Sequence, residues 1–198
     1  MTSRRRIAPT RCRIDGAMMR AALIGLLLLA GCSRDVPEAL TAVYRDAAAP
    51  IASKALFDVD AFAGEWQVVA RYPVPFEADC AAITAIYVPQ AGQAGSADHI
   101  CWSGDAADPV ILSGAFQVTG PGRMRVTYSG LPPLDVWVLW TDDGYRTAVL
   151  GTPDGRAGWI LNREAVIPAD RLTAAREVLD FNGFDLNRLV MVSRGSAE

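Results

Sequence analysis

The chain has 198 residues, 51% of them hydrophobic, with 17 Gly and 12 Pro and a formal net charge of −3. Residues 1–31 carry six Arg and one Asp, a net of +5, so the remainder holds 13 basic and 21 acidic groups, a net of −8. Such a length supports one well-cored domain plus an extension, and an acidic body with a single Lys, Lys54, and no basic cluster argues against nucleic acid as a partner.

The first segment reads as an address. "MMRAALIGLLLLAGC" places Arg20 before an apolar run from Ala21 to Ala30, then small residues before Cys32. Ten apolar residues fall short of the roughly 20 that a membrane-spanning helix needs, and the layout is that of a secretory signal. The ending "LAGC" resembles the lipobox of bacterial lipoproteins, whose Cys carries acyl chains, palmitate among them, and becomes the mature N-terminus. The alternative is an ordinary signal with an incidental Cys. Residues 1–17 precede a conventional start at Met18 or Met19. Two or three acyl chains hold a protein stably, since each buried CH₂ contributes ~0.8 kcal/mol. In such lipoproteins Ser rather than Asp after the Cys, here Ser33, implies the outer membrane, so the expected location is the cell envelope, facing the periplasm. From Ser33 to Ala55 the chain is Ala-rich, with Pro37 and Pro50 and no sustained apolar period. It reads as a tether, with a short helix over Pro37–Ala48 as the alternative. The expected organisation is a signal at 1–31, lipidated Cys and tether at 32–55, and a domain at 56–198.

With Cys12 removed and Cys32 acylated, Cys80 and Cys101 remain, an even count in an oxidising compartment. If "AITAIYV" and "SADHICW" form a hairpin with the two Cys facing, its turn falls between Gln90 and Ala91, inside "PQAG". Closing that loop is worth about 3 kcal/mol. Two free thiols or a metal pair are the alternatives, and two Cys without a matching His/Cys set make a poor zinc site.

From Gly64 to Arg163, apolar stretches of five to nine residues recur every 10–13 positions: "EWQVVARYP", "AITAIYV", "SADHICW", "VILSGAFQVT", "RMRVTYSG", "LDVWVLWT", "YRTAVLG" and "AGWILNR". Pro121–Gly122, Asp143–Gly144 and Asp154–Gly155 are turn dipeptides between them. Eight short strands with tight turns predict an all-β, antiparallel up-and-down barrel, since closure removes the open edges. Alternation places Met124, Val126 and Tyr128 opposite Arg123, Arg125 and Thr127. "LDVWVLWT" is apolar on both faces, so something must pack outside it. "PADRLTAAREVLDFNGF" supplies it: Leu172, Ala175, Val178 and Leu179 fall at helical spacing between Pro168 and the Asn182–Gly183 stop. "FDLNRLVMVSR" then predicts a short final strand at an edge.

These stretches resemble the lipocalins, specifically the bacterial membrane-anchored ones related to apolipoprotein D. "GEWQVVARYP" is similar to the first family signature, "TDDGYRTAVLG" to the second and "GWILNRE" to the third, over about Phe57 to Arg194. The resemblance implies that Arg163 lies over the indole of Trp66 at the closed end, with Gly64 allowing the preceding segment to cross the floor. The three would form a structural plug, worth on the order of 1–2 kcal/mol as a cation–π contact. The barrel's other end would open on a small ligand. By strand parity the lining residues are Val68, Ala70, Tyr72, Ile83, Ala85, Tyr87, Leu112, Phe116, Met124, Val126, Tyr128, Val136, Val138 and Trp140. The same parity puts Cys80, Cys101 and the single His, His99, on the outer face and turns Ile100 and Trp102 inward.

The resemblance implies fatty acids or lysophospholipids as ligands, and lipid transport, storage or envelope maintenance as the role. No catalytic residue, metal or cofactor is expected, because the inward set contains neither acid nor Cys. A filled barrel serving as a protein adaptor, and a lipocalin-fold enzyme, are the alternatives.

Overall fold

The computed structural model describes residues 40–91, 93–104 and 108–192. The signal, Cys32, Ser33 and the first part of the tether lie outside the described residues. Nine antiparallel strands form one sheet: β1 (Gly64–Arg71), β2 (Ala82–Gln90), β3 (Ala94–Trp102), β4 (Val110–Gly120), β5 (Arg123–Tyr128), β6 (Leu134–Thr141), β7 (Thr147–Gly151), β8 (Gly158–Asn162) and β9 (Val190–Met191). Consecutive strands pair from β1 to β8, and β1 also pairs with β8, so eight strands close into the expected up-and-down barrel. The β1–β2 register runs only from Gly64↔Tyr87 to Gln67↔Thr84. Where β2 leaves the edge of β1, β9 takes its place through Ala70↔Met191 and Arg71↔Val190.

Helix α1 (Val59–Phe62) crosses the end where β1 begins, capped by Asp58, whose carboxylate accepts from the Asp60 and Ala61 amides. Helix α2 (Ala169–Phe181) lies on the outside, from Pro168 to Asn182 as its sequence signals require. It buries Ala175 and Leu179 against Leu139, Val149 and Ile160. The molecule therefore has two apolar clusters, one in the lumen and one between wall and helix.

Two bulges decide which side chains belong to which. Between Val68 and Ala70 the β1–β8 register slips, and between Val138 and Trp140 the β6–β7 register does the same. An extra residue inverts parity beyond it. Ala70, Tyr72 and Trp140, expected in the lumen, consequently pack in the outer cluster, and Arg71 turns toward the lumenal acid described below.

Strand β3 needs a further correction. It pairs with β2 as Ile83↔Cys101, Ala85↔His99 and Tyr87↔Ala97, and the pairing ends at Gln90↔Ala94. Relative to a turn between Gln90 and Ala91 the register has slipped by an odd number of residues, which exchanges the faces. His99 is therefore buried and Trp102 is exposed, the reverse of the expectation. The Cys80–Cys101 disulfide forms all the same, with Cα atoms 5.2 Å apart, because Cys80 stands in the turn before β2 and is not bound by strand parity.

Residues 40–55 are not a free tether, and none of them is helical. They strap the barrel from the end where β1 finishes to the end where it starts. Tyr44 and Arg45 are buried. The Tyr44 amide donates to Gly155 O (2.7 Å), its carbonyl accepts from Asp185 N (2.8 Å), and Lys54 N donates to Val138 O (2.8 Å). Arg45 Nε donates to Asn182 O (2.7 Å), and the Arg188 guanidinium lies 4.2 Å from the Tyr44 ring. Gly155 makes the approach feasible: it sits at φ +73°, and a Cβ there would meet the Arg45 Cβ at 2.5 Å.

Candidate functional site

The site is the barrel lumen, and its floor is built first from α1. Phe62 is fully buried and stacks on Trp66 and Tyr87, with centroids 5.1 and 4.9 Å away. The Trp66 indole donates to Phe62 O at 2.8 Å. The Arg163 guanidinium stands 3.7 Å from the indole centroid. It donates to five backbone carbonyls: Nη1 to Glu65 (2.8 Å), Nη2 to Ala63 (2.8 Å), Ala61 (3.2 Å) and Phe62 (3.4 Å), and Nε to Tyr145 (3.1 Å). Gly64, at φ +96°, passes so close that a Cβ would lie 3.4 Å from Arg163 Nη1. Gly64, Trp66 and Arg163 thus meet at one end, and no acidic side chain takes part.

The wall is apolar. Val68, Ile83, Ala85, Tyr87, Phe116, Met124, Val126, Tyr128, Val136 and Val138 pack together in the lumen, with Leu112 partly buried against them. Burial raises the phenols of Tyr87 and Tyr128 above their ordinary value, with the nearby Glu77 charge adding to it, so both are neutral hydroxyls at physiological pH.

At the mouth the loop between β1 and β2 turns inward as a 3₁₀ turn, Pro75–Glu77. Glu77 is completely buried. Its Oε2 accepts from Arg71 Nη1 at 3.0 Å and its Oε1 from Trp159 Nε1 at 2.9 Å. His99 Nε2 lies 2.8 Å from Oε1, with the ring N–H axis turned off the line to the oxygen. Arg71 also donates to the Glu77 and Cys80 carbonyls, at 2.6 and 3.3 Å. Burial alone pushes the Glu77 carboxyl up, but His99 and Arg71 together outweigh it and hold it below the usual carboxylate range. The three partners stand on β1, β3 and β8 while Glu77 stands on the loop, so the cluster latches loop to wall.

What remains open inside is small, about 20 Å³, bounded by Val68, Ala85, Tyr87, His99, Tyr128 and Trp159 with Phe76 and Leu134 above. That holds a water molecule. On the far side of Phe76 and Leu134 lies a groove of about 200 Å³, walled by Leu40, Leu131, Pro132, Pro133, Asp154 and Arg156. Phe76 and Leu134 thus separate the cavity from the groove.

Sequence reasoning missed Glu77, Arg71 and His99 as lumenal groups, and with them the acid it expected to be absent. Glu77 sits in "PVPFEADC", a loop with no periodicity to assign a face. The available signal was the disulfide: joining Cys80 to Cys101 brings residues 77–80 against 99–101, an acid beside the single His. Chemically the carboxylate is engaged, because each Glu77 oxygen accepts from a donor of the chain itself, and the arrangement fixes a loop.

A lipocalin-like domain family matches residues 57–194. No curated protein matches the chain. Among solved structures, insecticyanin from the tobacco hornworm Manduca sexta is 21% identical, with a TM-score of 0.60 over 75% of this chain and 87% of that one. Per a 4, a cockroach allergen, is 16% identical, with a TM-score of 0.60 over 76% of this chain and 97% of the other. The siderocalin Ex-FABP, described as having dual ligand specificities, is 16% identical, with a TM-score of 0.54 over 69% and 97%. At these identities the likeness is one of fold.

Proposed function

Since the chain belongs to the lipocalin-like family, we propose that it is a membrane-anchored lipocalin taking a fatty acid or lysophospholipid into its barrel for lipid transport, storage or envelope maintenance. Anchoring through lipidated Cys32 and an outer-membrane, periplasm-facing position rest on the "LAGC" stretch and Ser33. The carrying observation is the lumen: apolar walls with two neutral phenols, sealed below by backbone contacts and stoppered above by two side chains, Phe76 on the loop and Leu134 on β6. Concave apolar sites with few polar groups suit aliphatic ligands. An acyl chain displaces Phe76, joins the cavity to the outer groove and reaches Tyr87 and Tyr128. The family's members are in general binding and transport proteins, and the saturated Glu77 carboxylate fits that role better than catalysis.

The 20 Å³ cavity favours a second reading, a filled barrel acting as a protein adaptor. Titration of the chain from Ser33 onward with a fluorescent fatty acid and a lysophospholipid separates the two. The strap must be included, because Tyr44 and Arg45 are part of the fold. Lipid binding predicts saturation in the micromolar range or tighter, weakened at least about tenfold, or 1.4 kcal/mol, by Tyr128→Arg. A folded, disulfide-bonded protein that binds neither lipid is the adaptor.

A further inference from the structure

The strap runs from one end of the barrel to the other, and its first described residue fixes where it begins. Leu40, its first described residue, lies at the mouth: its carbonyl accepts from Arg156 Nη1 at 2.7 Å, and its side chain walls the groove above Phe76. From there the strap descends to Lys54 and Ser53, which bond Val138 and Pro121 at the closed end. Chain attached ahead of Leu40 therefore leaves the domain at the mouth.

We propose that the open rim docks on the bilayer that holds the acyl chains of Cys32, presenting the lumen directly to membrane lipid. This rests on the anchoring reading given above. Seven residues lie between Cys32 and Leu40, and a fully extended chain covers at most about 28 Å in the eight steps from one to the other. The eight-residue strand β1, tilted as barrel strands are, rises about 20 Å along the axis. With the closed end toward the membrane, the tether would spend most of its reach running down the wall, with little left to cross the headgroups. With the mouth toward the membrane the same residues have slack.

The rim has a surface to match. Around it Val110 is 68% exposed, Ile111 58%, Val43 47% and Trp102 42%. Val110 and Trp102 flank the β3–β4 connection, and Val43 lies on the strap. Scattered apolar residues are ordinary, and the closed end exposes Leu56 and Val88 as well; at the rim, Trp102, Val110 and Ile111 stand side by side on the paired strands β3 and β4, and a contiguous apolar patch marks a contact surface. The charges among them are mixed, with Asp79, Asp108 and Asp154 in the mouth loops against Arg156 and Arg188. A basic patch for anionic lipid is absent from this set, so the fitting partner is a zwitterionic lipid surface, with Trp102 at headgroup level.

The test uses the full-length product purified from membranes and placed in phosphatidylcholine–phosphatidylethanolamine vesicles. Native Cys are blocked by acylation and by the disulfide, so Val43→Cys and Val110→Cys at the rim, and Leu56→Cys and Val88→Cys at the closed end, each accept one environment-sensitive fluorophore. With nitroxide-bearing lipids in the vesicle, rim labels should be quenched at least about threefold more than closed-end labels, with little change at high salt. Equal quenching at both ends, or stronger quenching at residues 56 and 88, in protein that floats with the vesicles overturns the docking while leaving the anchor intact. Mass spectrometry showing an unacylated Cys32, with protein that fails to float, overturns the anchor and the docking with it.

Discussion

The two ends of the barrel are stoppered by the same kinds of group, a buried Trp and an Arg, and yet they are held in different ways. At the closed end Arg163 covers Trp66 and donates only to main-chain carbonyls. No carboxylate pairs with that guanidinium, and its partners are fixed by the fold itself. At the mouth Arg71 and Trp159 converge on the Glu77 carboxylate, carried by a loop and joined by His99. That assembly depends on the Glu77 carboxylate and on a disulfide three residues away. The lesson is that an Arg satisfied by backbone makes a permanent seal, whereas an Arg satisfied by a loop carboxylate makes a closure that can be undone.

Breaking the mouth latch outright should have the largest effect. Glu77→Ala leaves Arg71 and the Trp159 indole without their acceptor inside a buried site, and removing one partner of a buried pair costs about 3–5 kcal/mol. Urea unfolding should show that loss. Cys80→Ser or Cys101→Ser comes next at about 3 kcal/mol, measurable as well by adding reductant to the native protein. At the other end Arg163→Gln should cost about 2 kcal/mol, from the cation–π contact and the carbonyl bonds an amide cannot replace. If Arg163→Gln proved the more damaging of the Arg163 and Glu77 variants, the ranking of the two ends would be reversed.

The smallest effect separates the ends by kind. Glu77 has a folded pKa below its unfolded one, so its contribution is present above the ordinary carboxylate value of about 4 and is lost as pH falls through the folded pKa. The native protein and Arg163→Gln should both lose stability on that acid limb. Glu77→Gln should lower stability at neutral pH and flatten the limb. Identical acid limbs in all three proteins would show that the mouth latch is not what titrates.

Much of this fold was legible because its signals are local. Turn dipeptides, alternating strands, the Pro168 start and the Asn182–Gly183 stop each act within a few residues, and the three lipocalin signatures supply closure and the Trp66–Arg163 pairing. Face assignments failed wherever register was set from a distance. The slips at Val68–Ala70 and Val138–Trp140 moved Ala70, Tyr72 and Trp140 outward, and the β2–β3 turn moved His99 and Cys101 inward. Alternation reports which residues share a face, but a bulge or an odd slip inverts the assignment without altering the pattern. The latch was hidden for the same reason, since Glu77 sits in a loop and its three partners come from separate strands. The strap was hidden by composition: residues 40–55 look like linker, and their order comes from backbone bonds to Gly155, Gly183 and Val138.

The central claim is that Phe76, on the latched loop, is the removable stopper of a lipid site. The most direct test is the association rate of a fluorescent fatty acid with the native chain and with Phe76→Ala, by stopped-flow mixing at neutral pH. The account predicts binding to both, at least about tenfold faster in Phe76→Ala because Leu134 alone then stands between the cavity and the outer groove. Equal rates, or no binding by a folded Phe76→Ala protein, would contradict it.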